Sequence, residues 1–211
     1  MKKIAPFVFA IFLLTFVLLL GSCHRESGPS IVSGSVQDIT TFAGVSNANV
    51  GLFELDGESA FGLGGTLIEE VYSDGSGNFA FNFTARKSYS YYVQAIKDQY
   101  WNDQSNNVTF INNLGGTSNT VVYLQPEGYL QLKITDVPPY LENAEFRITP
   151  FGGTFWVPAY MLDTVLTGDL FGNADKPLFW VIENFDTGNQ EIFQDTIYIP
   201  AFDTVFYEIL Y

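Results

Sequence analysis

The chain has 211 residues, of which 47% are hydrophobic, 17% aromatic and 15% charged, with one histidine (His24) and one cysteine (Cys23). This excludes a disordered chain, which needs low hydrophobicity, a disulfide framework, which needs paired cysteines, and ordinary zinc centres, which draw on several His or Cys ligands. A formal charge of −14 also repels nucleic acid phosphates and anionic membrane surfaces, so no nucleic-acid partner is expected.

Lys2 and Lys3 precede an apolar run from Ile4 to Leu20 and then Gly21-Ser22-Cys23. That is the charged region, apolar region and small-residue site of an export signal, which predicts a signal peptide over residues 1–22. Leu20-Gly21-Ser22-Cys23 resembles a bacterial lipobox, where the peptidase cuts before a cysteine whose sulfur carries a diacylglyceryl group. The resemblance implies a lipid at Cys23, and a three-chain lipid, with ~0.8 kcal/mol for each buried methylene, anchors a protein permanently. The alternative is an uncleaved membrane anchor, because seventeen mainly apolar residues reach the lower limit for a span. Both readings export the remainder of the chain. Residues 23–29 are short, polar and broken by Gly28-Pro29, which reads as a tether. The expected location is the bacterial cell envelope, at the outer membrane; no acidic run comes after Cys23, and the periplasmic and surface faces both stay open.

From Ile31 onward no stretch carries apolar residues at helical spacing, whereas period-two runs recur between Gly, Asn, Asp or Pro. Phe79, Phe81 and Phe83 form one such face; Leu130, Leu132 and Ile134 a second; Ala144, Phe146 and Ile148 a third. An all-β chain of two β-sandwich domains in series is predicted, at 30–125 and 126–211. The boundary falls at Gln125-Pro126-Glu127-Gly128, which reads as a breaker between two strands.

In the first half, Gly34-Ser35-Val36 opens a strand and Ala48-Asn49-Val50-Gly51-Leu52 comes after a Gly-bearing loop. Ser73-Asp74-Gly75-Ser76-Gly77-Asn78-Phe79 reads as a hairpin in which Asp74 accepts backbone hydrogen bonds, Gly75 or Gly77 takes positive φ, and Phe79 begins the inward face. Tyr91-Tyr92-Val93-Gln94-Ala95 comes next. Together these resemble the carboxypeptidase regulatory-like domain, a transthyretin-like (prealbumin-like) seven-stranded Greek-key sandwich. The resemblance implies a module attached to others that performs no reaction itself. The loop from Asp56 to Gly65 is longer than that pattern needs.

The second half predicts strands near 129–135, 144–149, 154–158, 163–167, 177–183, 191–199 and 204–211, with Asp186-Thr187-Gly188-Asn189 as a hairpin turn and no recognisable family. Val205, Tyr207, Ile209 and Tyr211 alternate to the last residue, so these residues are expected to form a core strand.

Catalysis by Ser-His-Asp or Cys-His needs an imidazole beside the nucleophile, and His24 lies next to the lipid site. No phosphate loop is present, and Gly62-Leu63-Gly64-Gly65 does not lead from a strand into a helix. A non-enzyme is therefore expected, without a cofactor. Structural calcium is the one inorganic ligand the composition suits, through Asp98 with Asp103, or Asp163 with Asp169 and Asp175, although neither set has EF-hand spacing; Asp74 with Asn78 reads as a turn. Tyr100-Trp101 and Phe155-Trp156 are the candidate ligand platforms, since a flat ring on a loop or sheet face can stack on a sugar; Trp180 sits in an apolar run and reads as core. Asp163-Thr164, Asp195-Thr196 and Asp203-Thr204, each followed by Val or Ile, resemble an acceptor for bacterial O-glycosylation. The expected function is that of a lipid-anchored envelope module for binding or scaffolding in a protein assembly. The alternatives are glycan binding through exposed aromatics and a purely structural spacer or coat.

Overall fold

In a computed structural model residues 27–56, 64–102 and 107–211 are described. Residues 1–22, for which a signal peptide is expected, and Cys23 and Asp103 lie outside the described residues, as do Gly62 and Leu63 of the Gly62–Gly65 cluster. The described residues form fourteen strands: β1 Gly28–Asp38, β2 Asn49–Asp56, β3 Thr66–Tyr72, β4 Asn78–Ala85, β5 Tyr89–Ile96, β6 Tyr100–Trp101, β7 Val108–Phe110, β8 Thr117–Thr135, β9 Ala144–Ile148, β10 Phe155–Pro158, β11 Asp163–Phe171, β12 Ala174–Asn184, β13 Asn189–Ile199 and β14 Thr204–Leu210. The described chain is all-β, as the alternation predicts. β1 opens at Gly28, with Gly28 and Pro29 already paired to Ala85 and Thr84, inside the stretch that reads as a tether.

The strands make two sandwiches, and β8 belongs to both. Its first half pairs in parallel with β1, from Ile31↔Thr117 to Asp38↔Leu124, and β1 pairs with β4. Facing this sheet is a second of order β3-β2-β5-β7. The second half of β8 lies between antiparallel β11 and parallel β14, facing a sheet of order β10-β9-β12-β13. Each sandwich thus has seven strands, apart from the two-residue β6. One apolar cluster is built on Val32, Val36, Leu52, Phe81, Tyr91, Val93 and Leu124, the other on Leu130, Leu132, Ile134, Phe146, Ile148, Leu178 and Ile209.

Gln125-Pro126-Glu127-Gly128 is not a breaker: β8 runs through it for 19 residues with burial alternating without a slip. The reason is parity. Leu124, Pro126, Gly128 and Leu130 all fall on the buried face, so the period of two survives the crossing. Proline brings no N–H to satisfy, and the backbone here has partners on both sides. Glu127 N–H donates to Gln99 O (2.9 Å), Gly172 N–H to Pro126 O (2.8 Å) and Phe202 N–H to Glu127 O (2.7 Å).

Local turns obey the expected chemistry. Asp74 Oδ1 accepts from the N–H groups of Ser76 and Asn78, each at 2.8 Å, and these bonds, Asn78 foremost, hold its carboxyl below the ordinary range. Gly77 takes φ +85°, where its missing Cβ would meet Val36 O at 2.5 Å. Adjacent Tyr91 and Tyr92 point to opposite faces, yet both are buried. Tyr92 lies outside the core, stacked on Phe53 at 4.9 Å. Tyr91 donates its hydroxyl to Glu54 Oε2 at 2.8 Å, and Glu54 also binds the Arg86 guanidinium.

Candidate functional site

Two places gather the aromatic residues singled out by the sequence. The first is the junction between the sandwiches. β6 pairs with β8 at Tyr100↔Pro126 and Trp101↔Gln125, which presses both aromatics against the second module. Tyr100 is only 8% exposed and meets Phe202 edge to face at 5.2 Å; burial, then the charge of Asp38, raises its phenol pKa. Trp101 donates Nε1–H to Leu170 O at 3.2 Å and meets Phe171 edge-on at 5.3 Å. Asn173, at φ 53°, donates to Thr40 Oγ1 (2.9 Å) and accepts from Ala201 N–H (3.1 Å). Gln125 Nε2 reaches Gly172 O at 3.1 Å. Tyr100 and Trp101 thus bind one module to the other, while Trp101 also walls a cavity of about 400 Å³ with Phe151, Leu170, Phe171 and Lys176.

The second place is the outer face of sheet β10-β9-β12-β13. Phe155 and Trp156 are neighbours on β10 and so face opposite ways. Phe155 packs against the core; Trp156 is 62% exposed. One rung of this face reads Trp156, Arg147, Val181, Ile192 across the four strands. Arg147 lies 5.4 Å from the Trp156 ring centroid and pairs with Glu145 at 3.0 Å and with Glu183. Two carboxylates therefore share one cation, which lies over the indole ring. Beside Trp156 a groove of about 420 Å³ is lined by Glu142, Asn143, Glu145, Pro158 and Phe185. Asn143 Nδ2 is committed to Asp186 Oδ1 at 2.7 Å, and Phe185 N–H to Asn143 O at 2.8 Å. Trp180 packs partly buried on the core, stacked on Phe193 at 5.4 Å.

Asp163, Asp169 and Asp175 are not gathered into one cluster among the described residues. Asp163 and Asp169 stand six residues apart on β11, and Asp163 neighbours Lys133 at 3.9 Å. Asp169 and Asp175 line the junction cavity together with Lys176. Among the described residues no three His, Cys, Asp or Glu side chains are gathered to hold a metal ion. Asp98 is exposed in the turn between β5 and β6, and its partner Asp103 lies outside the described residues. Thr196 and Thr204 are exposed, each N–H held by the preceding aspartate at 2.7 Å. Thr164 is half-buried on the face that β11 turns toward Leu166 and Leu170.

Sequence reasoning missed Phe185, Glu142 and Asn143 as partners of Trp156, and Phe171, Asn173 and Phe202 as partners of Tyr100 and Trp101. The one local signal was an aromatic, Phe185, set directly before the polar turn Asp186-Thr187-Gly188.

No family model matches the chain, and no curated protein matches it. Among solved structures it is similar to GBS52, the minor pilin of Streptococcus agalactiae, at 14% identity over 86% of this chain and 94% of that one, with a TM-score of 0.40. A streptococcal ancillary pilin is similar at 11% identity over 87% and 63% (TM-score 0.41). The Bacillus anthracis TIE protein is similar at 15% identity over 87% of this chain (TM-score 0.40), and this chain spans 34% of that protein's length. Likeness at this level says nothing about activity or partner.

Proposed function

We propose that this chain is a non-catalytic component of the bacterial cell envelope, anchored by lipid at Cys23 to the outer membrane, that scaffolds an assembly by offering a strand edge to a protein partner. The observation that carries the reading is one flank of the second module. Among the described residues β13 pairs only with β12 and β14 only with β8, so two strand edges lie open there, joined by a hydrogen bond from the Tyr207 hydroxyl to Asp195 Oδ2. Ile192, Tyr198, Phe206 and Leu210 are exposed along them. Open edges with apolar side chains are what strand addition uses. Glu191, Asp195 and Glu208 on the same strands make two copies repel, so the flank suits a partner of opposite charge rather than itself. The resemblance of the first half to carboxypeptidase regulatory-like domains agrees with a non-catalytic module. On the same reading Thr196 and Thr204 are the glycosylation acceptors, which an intact mass equal to lipid plus polypeptide would refute.

The test is capture from detergent-solubilised native envelope with the lipidated full chain, compared with the Ile192→Lys, Phe206→Lys double variant. Both side chains are exposed, so the variant keeps its fold. A stoichiometric protein should come down with the native chain and be lost with the variant. Retention by the variant, or capture of nothing, overturns the strand-edge reading; the second result leaves the spacer role.

A further inference from the structure

We propose that the groove between Trp156 and Phe185 is a binding site for a neutral glycan. This goes beyond the strand-edge reading and fails or stands separately from it, because Trp156 lies on β10 and the open edge β13 is at the other side of the same sheet. Two aromatic rings flank the groove, Trp156 at 62% and Phe185 at 52% exposure. Aromatics of that size normally bury their surface, so two left open around one cavity call for an occupant with an apolar face. The indole is also fixed in place. Arg147 sits against it and is tied to Glu145 and Glu183, which lowers the ordering cost of binding. The backbone of Phe185 is fixed by its own N–H bond to Asn143 O and by the turn after it, where Asn184 Oδ1 accepts from Asp186 and Thr187 N–H.

The polar lining selects the ligand class. Glu142 and Glu145 offer acceptors, and Asn143 spends one of its two amide N–H donors on Asp186 and keeps the other for the groove. A ligand that suits this lining brings hydroxyls, which donate to the carboxylates and accept from the amide, and carbon–hydrogen faces for the rings, which describes a pyranose. An acidic sugar would meet Glu142, Glu145 and Asp186 unfavourably, so the sugar is neutral. The volume of about 420 Å³ falls within the range of small-molecule sites.

The experiment is a glycan array followed by titration calorimetry, on the full chain and on Trp156→Ala, Phe185→Ala and Trp101→Ala, with chitosan and polygalacturonate as charged controls. A neutral glycan should bind the native chain, lose at least tenfold in affinity with either groove variant, and bind Trp101→Ala as before. Bound glycan should also protect Trp156 from oxidation by N-bromosuccinimide in the native chain, a readout that needs no variant to fold. Absence of any neutral glycan ligand, equal binding by the groove variants, or binding of chitosan alone that salt abolishes, would each overturn the proposal.

Discussion

Removing Val205–Tyr211 is expected to unfold the second module. The segment is most of β14 and one residue beyond it, and its inner face buries Ile209 in the core and packs the half-buried Val205, Tyr207 and Tyr211 against it. Tyr211 stacks on Phe146 at 5.1 Å and donates its hydroxyl to Ala159 O at 2.7 Å. Full burial of one apolar side chain is worth about 1.5–3 kcal/mol, so one buried and three half-buried side chains are a large share of the ~5–15 kcal/mol by which a whole domain is stable. Loss also strips one side of β8 from Leu130 to Thr135. An unchanged melting temperature would sink the idea. Alkali should do part of the same work. The Tyr207 pKa is pushed up to about 12 by burial, then by its bond to Asp195 and that group's charge. That of Tyr211 is raised by burial and then by Asp136. A raised phenol pKa means the folded state holds the proton more tightly than the unfolded one. Its stabilisation is complete below the ordinary tyrosine value of about 10 and is lost as pH rises from there to about 12. Phenolate absorbance and circular dichroism should therefore change together above pH ~10; phenolate from these residues appearing there with the fold intact would contradict it.

Gly172→Val is expected to open the junction between the modules. A Cβ on Gly172 would lie 2.7 Å from both Ala201 Cα and Glu127 O, and one on Gly128 would lie 3.2 Å from Gly172 Cα. These neighbours are backbone and cannot turn aside. Overpacking of this kind costs about 1–3 kcal/mol or more, which for a chain of this size lowers the melting temperature by roughly 2–4 °C for each kcal/mol. Because Gly172 N–H and O bind Pro126 and Gln125, the native chain should melt in one calorimetric transition and the variant in two. Gly75→Ala is the control, since a Cβ there meets nothing within 4 Å and its φ is not in the left-handed region. One unshifted transition in Gly172→Val would show that the contact does not couple the modules.

The alternation of apolar residues makes the all-β class, the strands of both halves and the hairpins at Asp74 and Asp186 legible, because period two and turn chemistry act over a few residues. Pro126 misleads for a definite reason. Proline and glycine in sequence mark a break, but what decides is whether the buried parity of Leu124 carries on to Leu130, and it does. Trp101, in its polar stretch, reads as a loop platform; what its sequence context does not reveal is that it is also a contact between the modules, because Leu170 and Phe171 reach it from a distant part of the chain. Trp156 is legible as an exposed ring. Its groove is not, since Glu142, Asn143 and Phe185 meet there only through the pairing of β9 with β12.

The shared strand also governs how the molecule carries load. β8 is 19 residues long, a rod of about 60 Å at ~3.3 Å per residue. β1 runs parallel to its first half from Ile31 beside Thr117, and β14 parallel to its second half to Leu210 beside Thr135. Tension applied between the N-terminal side of β1 and the far end of β14 is thus directed along β8. The ladders on both sides are then strained in shear, with many hydrogen bonds resisting together, instead of peeling apart one by one. A protein held to a membrane at one end and to a partner at the other would pass force straight through its two modules.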